Sequence, residues 1–204
     1  MQLSGEAAGA TGAESTRRAR VGALASGGGR TVANLADVCA RGEVPAEVVA
    51  CVVTRANAGA AARCRERGIA VEVVAPEPAA TFDDRVDAAL RAHGVEWVCL
   101  CGYLRKFRVG AWRGRALNIH PALLPEFGGP GMWGDRVHEA VLAAGRAESG
   151  CTVHWVDEEY DRGAPIVQRR CPVLPGDTPK SLAERVFREE CKAYPDALRQ
   201  AVGK

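Results

Sequence analysis

Short apolar segments alternate with helical patterns along nearly the whole chain, and this alternation constrains the fold more than any other feature. Continuously apolar segments such as VGALAS (21–26) and EVVACVVT (47–54) predict buried strands. Helical segments of roughly 10–15 residues separate the strands, the first over about 31–41. Strands buried on both faces and joined by helices form a mainly parallel, twisted sheet. We therefore predict a single Rossmann-like α/β domain with helices on both faces.

The remaining segments continue this alternation. They predict strands at 69–75, 96–101, 115–120, 150–156 and 165–172, and helices over about 57–67, 81–94, 135–145 and 178–201. Thr81 is expected to cap the helix that closes on Gly94. The last two strands are candidates for an antiparallel edge. Ligands of such sheets bind outside the carboxyl ends of the strands.

Composition bounds the class of protein. The 204 residues, 47% of them hydrophobic, can fill a core without a disulfide or metal. The net charge of +2 offers no basis for binding nucleic acid or a membrane surface, and no apolar stretch approaches the ~20 residues that span a bilayer. Residues 1–19 lack the apolar region of a signal peptide. We predict a disordered leader over 1–19 and a folded domain over 20–204.

Eight cysteines lie mostly inside apolar segments, and no two have the spacing of a CxxC pair. Cys99 and Cys101 are expected on one face of a strand, but they lack the second pair that a zinc site needs. We expect reduced, buried thiols, no metal and a cytoplasmic location.

A glycine-rich loop, ASGGGRTVANL (25–35), lies between the first strand and the first helix. Its backbone N–H groups are expected at the positive end of the helix dipole, and its three glycines allow an anion to approach closely. It lacks the lysine of a Walker loop, and Val32 occupies the place of the third glycine in the dinucleotide pattern. A plain tight turn and a phosphate cradle both stay open.

Asn118 and His120 end a predicted strand, just before Pro121. Residues two apart on a strand share a face, so both side chains are expected in the ligand crevice. An amide donor beside an imidazole suits a carbonyl that becomes an oxyanion. The alternative is a buried core histidine beside an asparagine at a strand end.

An acidic turn, DEEYDRG (157–163), follows a strand that contains His154. Such a turn is usually solvated. Asp161 is the candidate to turn inward instead, as a carboxylate that orients an imidazole or accepts a proton.

These segments occur together and in the same order in a known family. LNIHPALLPEFGGPGMWG (117–134) and VHEAVLAAGRAESGCTVHWVDEEYDRGAPIVQ (137–168) resemble those of the phosphoribosylglycinamide formyltransferases. The resemblance covers roughly residues 20–200 and implies the formyltransferase fold. It implies transfer of a formyl group from 10-formyltetrahydrofolate to the amine of 5-phosphoribosylglycinamide, in purine synthesis and without a metal. It also implies that Asn118, His120 and Asp161 form the catalytic set.

The resemblance further implies two sets of binding residues. The substrate set is Gly27, Gly28, Gly29, Arg30, Thr31, Asn34 and Glu190, and the folate set is Arg85, Leu104, Arg105, Lys106, Phe107 and Asn118. The sequence departs from the family pattern in the glycine loop, where Asn34 comes late and Arg30 and Thr31 are candidates to contact the phosphate. Phe187 replaces a polar residue, and Lys106 replaces an apolar one.

Two alternatives stay open. Another folate-dependent formyltransferase or a formyltetrahydrofolate hydrolase shares the Asn-x-His and Asp residues. A non-catalytic nucleotide-binding module would explain the glycine loop but not these three residues. Partners are expected to be small molecules, with the protein a monomer or a homodimer.

Overall fold

A computed structural model describes residues 17–203, and within this range it contains one seven-stranded sheet and five α-helices. The strands are β1 (Ala19–Ala25), β2 (Ala46–Val53), β3 (Ala70–Val73), β4 (Trp97–Leu100), β5 (Ala116–His120), β6 (Glu148–Trp155) and β7 (Pro165–Pro172). The helices are α1 (Arg30–Ala40), α2 (Gly59–Arg65), α3 (Phe82–Ala92), α4 (Asp135–Ala143) and α5 (Pro179–Val202). Short 3-10 turns lie at Ala79–Thr81 and Gly110–Trp112.

The strand order places a ligand crevice in the middle of the sheet. The order is β3-β2-β1-β4-β5-β6-β7, with parallel pairing from β3 to β5 and antiparallel pairing of β6 with both neighbours. From β1 the chain builds β2 and β3 on one side and then crosses to β4 on the other side. Loops after β1 and β4 therefore diverge at the carboxyl ends of adjacent strands, which is where ligands bind in sheets of this kind.

Both faces of the sheet are covered, as the continuously apolar strands predicted. Along β1, Ala23 and Ala25 face a core shared with α1, α2 and α5, whereas Leu24 faces a second core beneath α3. The fully buried Tyr194 of α5 brings its hydroxyl within 3.0 Å of the carbonyl oxygens of Leu100 and Leu117. Helix α5 is thereby attached to the carboxyl end of β4 and to the neighbouring strand β5.

The predicted α/β fold and antiparallel edge are confirmed, and element boundaries agree within a few residues. The predicted cap at Thr81 is wrong, because its hydroxyl bonds the carbonyl of Pro78 across a 3-10 turn, 3.4 Å away, rather than an N–H group of α3. Most of the predicted leader lies outside the described residues. Ala19, which was assigned to that leader, already belongs to β1 and pairs with Ala46.

All eight cysteines are unpaired, and seven are buried while Cys191 is half-buried. Across residues 17–203, no helix combines the length and the apolar character needed to cross a bilayer.

Candidate active site

Asn118 and His120 enter the crevice from the carboxyl end of β5. The antiparallel register of β5 and β6 places His154 directly opposite Asn118. The two side chains meet, with Asn118 Nδ2 3.1 Å from His154 Nε2. One polar pair therefore spans the two strands at the point where the sheet changes from parallel to antiparallel.

Asp161 reaches the same point from the turn between β6 and β7. Its backbone has a φ of 56°, a left-handed conformation that non-glycine residues seldom adopt. Gly163 makes the turn feasible, because a Cβ there would lie 1.7 Å from the carbonyl oxygen of Trp155. The carboxylate is fixed by the N–H of Gly129, which donates to Oδ2 at 2.9 Å.

The structure brings Asn118, His120 and Asp161 together. Asn118 Nδ2 donates to Asp161 Oδ1 at 3.3 Å, and His120 Nδ1 lies 3.4 Å from Asp161 Oδ2. The side chains of His120 and Asp161 are only 4% and 9% exposed. Such a buried set is rigid and weakly screened by water, so each group strongly affects the charge state of the others.

His154 orients the amide of Asn118. Its Nδ1 donates to the carbonyl oxygen of Trp155 at 2.8 Å, which leaves Nε2 as the acceptor for the Asn118 amide. In this neutral tautomer the 3.5 Å approach of Nε2 to Asp161 Oδ1 is a contact rather than a hydrogen bond. The sequence analysis gave His154 no role, because strand register, not local pattern, places it opposite Asn118.

His120 is held as a neutral imidazole. Its Nε2 donates to the carbonyl oxygen of Phe127 at 2.7 Å, and Nδ1 faces Asp161. Burial lowers the pKa of His120 below its usual value, and the nearby Asp161 and the Phe127 carbonyl only partly offset this effect. At neutral pH the ring is therefore uncharged, with an N–H group on Nε2.

Asp161 is ionised despite its burial. Burial by itself raises the pKa of a carboxyl, but the polar groups around it, the N–H of Gly129 among them, outweigh burial and leave the pKa of Asp161 below its usual value. The site thus combines a fixed carboxylate, a neutral imidazole and an amide donor. These groups can stabilise an oxyanion and accept a proton.

A cavity of about 570 Å³ opens beside these groups. The predicted residues that line it are Asn118, His120, Asp161, Leu104, Arg105, Lys106, Phe107, Arg30, Thr31 and Glu190. The loop after β4 is tied to the glycine loop, because Leu104 N donates to Ser26 Oγ at 3.1 Å. Both predicted binding loops therefore border one cavity.

Other predicted binding residues do not line the cavity. Arg85 lies over the ring of Phe82, 6.0 Å from its centroid, and donates to Pro78 O. Asn34 donates to the carbonyl of Cys191 at 3.0 Å, so it ties α1 to α5. Both side chains make contacts within the protein, and their binding of a ligand stays a prediction.

The glycine loop is placed beside the cavity rather than in its wall. Gly29 has a φ of 77°, and a Cβ there would lie 2.3 Å from Ala60 Cα, so close packing on α2 requires this glycine. The N–H groups of Gly28 and Gly29 have no hydrogen-bond acceptor within residues 17–203. They precede the first turn of α1 and are free to bind an anion.

Helix α5 forms the wall opposite this loop. The guanidinium of Arg30 lies 3.8 Å above the ring of Phe187 and forms two hydrogen bonds with Glu184. Burial raises the pKa of Glu190 from 4.5 to about 7, although Arg30 lowers it. One side of the cavity thus contains a cation and two carboxyl groups. Sequence reasoning did not identify Glu184.

A buried polar network supports the segment after His120. Thr152 Oγ1 donates to Ala122 O at 2.7 Å and accepts from Leu124 N at 3.0 Å. Gln168 Nε2 donates to Leu124 O at 2.8 Å and lies 3.0 Å from the same hydroxyl. This network from β6 and β7 fixes the loop that supplies the N–H of Gly129, and sequence reasoning did not predict it.

The side chains at the site are not arranged as a metal centre. Within residues 17–203, no three His, Cys, Asp or Glu side chains are grouped so that they could hold a metal ion.

A family model and several characterised proteins match this chain. The formyl transferase model matches residues 19–198. The chloroplastic phosphoribosylglycinamide formyltransferase of Arabidopsis thaliana is 40% identical over 190 residues, which is 89% of this chain and 65% of that protein. The trifunctional purine biosynthetic protein adenosine-3 of Drosophila melanogaster is 39% identical over 197 residues, 92% of this chain and 14% of that protein. The chain thus spans less than two thirds of these relatives.

Solved structures share the fold along most of their length. Glycinamide ribonucleotide transformylase 1 from Symbiobacterium toebii has a TM-score of 0.86 and 36% identity, covering 92% of this chain and 89% of that one. Phosphoribosylglycinamide formyltransferase from Brucella melitensis has a TM-score of 0.83 and 38% identity, covering 92% and 97%.

Proposed function

The chain belongs to the formyl transferase family, and on this premise we propose that it transfers the formyl group of 10-formyltetrahydrofolate to the primary amine of 5-phosphoribosylglycinamide. The observation that carries the proposal is the convergence of Asn118, His120 and Asp161 on one cavity. The names of the relatives support the choice of acceptor. The reaction belongs to purine synthesis.

The amine nitrogen attacks the formyl carbon, and the carbonyl electron pair moves to oxygen. The Asn118 amide and the Nε2–H of His120 stabilise this developing oxyanion. In the free protein the amide hydrogens of Asn118 go to His154 and Asp161, and the His120 N–H goes to the carbonyl of Phe127. Each donor therefore exchanges one of these acceptors for the substrate oxygen. Removing one such donor typically lowers the rate about 10²–10³-fold.

Asp161 accepts the proton that leaves the attacking amine. Its ionised carboxylate lies beside His120 and Asn118, so it accepts the proton directly or through a water molecule and keeps the Asn118 amide oriented. The tetrahedral intermediate then collapses. The bond between the formyl carbon and N10 breaks, its electron pair returns to N10, and a proton is delivered there to give tetrahydrofolate.

We assign the two reactants to two sides of the cavity. The folate is assigned to the side bordered by Leu104, Arg105 and Lys106, from the loop after β4. The phosphate is assigned to the side bordered by Arg30 and Thr31, which follow the glycine loop. Holding both reactants in one cavity contributes through proximity and orientation, which amount to as much as ~10 kcal/mol of the barrier in well-oriented reactions.

Release of tetrahydrofolate, measured with and without 5-phosphoribosylglycinamide, tests the proposal. We expect release that depends on the amine and produces an equal amount of formylated product. Release that ignores the amine would identify a hydrolase. If no tetrahydrofolate is released in either condition and a folate analogue gives no calorimetric signal, the protein is a non-catalytic nucleotide-binding module.

We also propose that the protein works in a reducing compartment such as the cytoplasm. The support is chemical, since eight unpaired cysteines persist best where thiols are kept reduced. A thiol reagent should find all eight thiols free in the denatured protein after rapid isolation from cells. Fewer free thiols would contradict the proposal.

A further inference from the structure

Arg30, Phe187 and Glu184 form a three-residue cluster, which we call the arginine clamp. The guanidinium of Arg30 lies over the ring of Phe187, with its central carbon 3.8 Å from the ring centroid. Glu184 binds the edge of the guanidinium through both oxygens, with Nη2 and Oε2 2.7 Å apart. Since all three residues line the cavity, the cluster faces the ligand space and not only bulk solvent.

We propose that Glu184 is a counter-ion that the substrate phosphate displaces from Arg30, while Phe187 holds the guanidinium in place during the exchange. The inference deepens the proposed function and rests on it, because it assumes that a phosphorylated amine occupies the cavity.

Glu184 and phosphate compete for the same donors. A guanidinium presents its N–H groups in a planar fork that matches carboxylate and phosphate oxygens in the same way. In the free protein Glu184 occupies the edge of the guanidinium formed by Nη1 and Nη2. Its pKa is held below the usual value by the hydrogen bonds from Arg30, so at neutral pH the Glu184 carboxylate carries the charge that a counter-ion of Arg30 needs.

The exchange has a low energetic cost. The side chains of Arg30 and Glu184 are 47% and 48% exposed. Ion pairs between such exposed side chains contribute little to stability, because water solvates the separated charges well. A phosphate dianion carries more charge than the carboxylate, and the N–H groups of Gly28 and Gly29, which have no acceptor within residues 17–203, lie next to Arg30 along the chain at the start of α1.

Phe187 explains why Arg30 stays in position when its carboxylate partner leaves. A flexible arginine that loses its ion pair gains rotamer freedom, which lowers its affinity for the incoming anion. Stacking on an aromatic face provides a second attachment that leaves the N–H edge free. Glu184 and Phe187 are three residues apart on α5, so the helix presents both on one face.

The variant Glu184→Gln tests the proposed competition through the direction in which the KM for the phosphorylated amine changes. We expect the KM for 5-phosphoribosylglycinamide to fall roughly two- to fivefold, the scale of an exposed ion pair, with the KM for the folate unchanged. Inhibition by inorganic phosphate should strengthen by a similar factor. Glu148→Gln is the matched control, since it breaks an exposed ion pair with Arg170 at the sheet edge. An unchanged or raised KM for the amine in Glu184→Gln would overturn the proposal.

The variant Phe187→Leu tests the second part. It keeps an apolar side chain in a half-buried position but removes the flat ring. We expect a raised KM for the phosphorylated amine with kcat and the folate KM nearly unchanged. An unchanged amine KM would show that the ring does not position Arg30.

Direct titration with inorganic phosphate separates failure of this inference from failure of the proposed function. Calorimetry of phosphate binding requires no turnover. If the wild-type protein transfers no formyl group but Glu184→Gln still binds phosphate more tightly, the exchange holds for another phosphorylated acceptor. If transfer occurs and phosphate affinity is the same in both proteins, the competition is absent and the proposed function stands.

Discussion

Asp161 Oδ2 lies 3.4 Å from Nδ1 of His120, although the two residues are 41 positions apart in the sequence. Asp161 also belongs to an acidic turn, which from its composition would be expected to face solvent. The contact requires a left-handed backbone at Asp161, and the N–H of Gly129 holds the carboxylate in place. A carboxylate fixed beside a neutral imidazole suits proton management at a reacting carbonyl. This relationship leads to the first prediction.

Asp161→Asn should abolish most of the activity without unfolding the protein. The amide oxygen can still accept the N–H of Gly129, so the turn is retained while the charge and proton acceptor are lost. We expect kcat to fall roughly 10²–10⁴-fold, the range for losing a positioned proton-transfer group. Asp84→Asn, which alters an exposed ion pair with Arg108, is the control. Normal turnover by Asp161→Asn would show that Asp161 is not the proton acceptor.

His154→Phe should lower activity through Asn118. The variant removes the acceptor of the Asn118 amide and the bond to the carbonyl of Trp155, at a cost of about 1–3 kcal/mol in stability. If His154 acts by orienting the amide, the double variant with Asn118→Ala should be no slower than Asn118→Ala alone. Additive losses in kcat would instead assign His154 an independent role.

Glu190→Gln should change how stability depends on pH. Because the pKa of Glu190 is raised from 4.5 to about 7, the folded protein retains a proton that the unfolded chain releases. The wild-type free energy of unfolding therefore falls, relative to the variant, as pH rises from about 4.5 to above 7. The change is at most about 3 kcal/mol, since the carboxyl borders a water-accessible cavity. Urea unfolding at about pH 5 and about pH 8 measures it. A difference between the two proteins that stays constant with pH would contradict the prediction.

Gly163→Ala should destabilise the protein and disturb the site together. The new Cβ would lie 1.7 Å from the carbonyl oxygen of Trp155 and 3.4 Å from His154 Nδ1, so the turn that carries Asp161 must shift. Forcing an extra methyl into a packed site typically costs about 1–3 kcal/mol. Gly27→Ala is the stability control, because its Cβ would meet nothing within 4 Å. Equal melting temperatures for the two variants would refute this account of the turn.

The fold was predictable because its signals are local. Strands such as VGALAS are apolar at every position, and only a sheet covered on both faces buries such segments completely. The predicted ends of helices were less exact where a second local structure competed for the same capping residue. Thr81 has the chemistry of a helix cap, yet the segment before it folds as a 3-10 turn, and the Thr81 hydroxyl donates to the carbonyl oxygen of Pro78 instead of capping α3.

The candidate site was only partly predictable, because several of its contacts depend on strand register and helix packing. Asn118 and His120 could be placed at a strand end from their spacing alone. His154 could not, since its position opposite Asn118 follows from the antiparallel register of β5 and β6. The role of Asn34 was likewise decided by packing, because α5 presents the carbonyl of Cys191 within hydrogen-bond reach.

The amino-acid sequence was sufficient to predict the succession of strands and helices along the chain, the sheet covered on both faces and the motifs that resemble a known family. These properties follow from apolar periodicity and from short stretches of residues that are close together along the chain. Tertiary structure alone decided that the Asp161 carboxylate turns inward, that His154 orients Asn118, and that Glu184 and Phe187 hold Arg30. Each of these contacts joins groups far apart in the chain, and their distances and charge states exist only once the elements have packed.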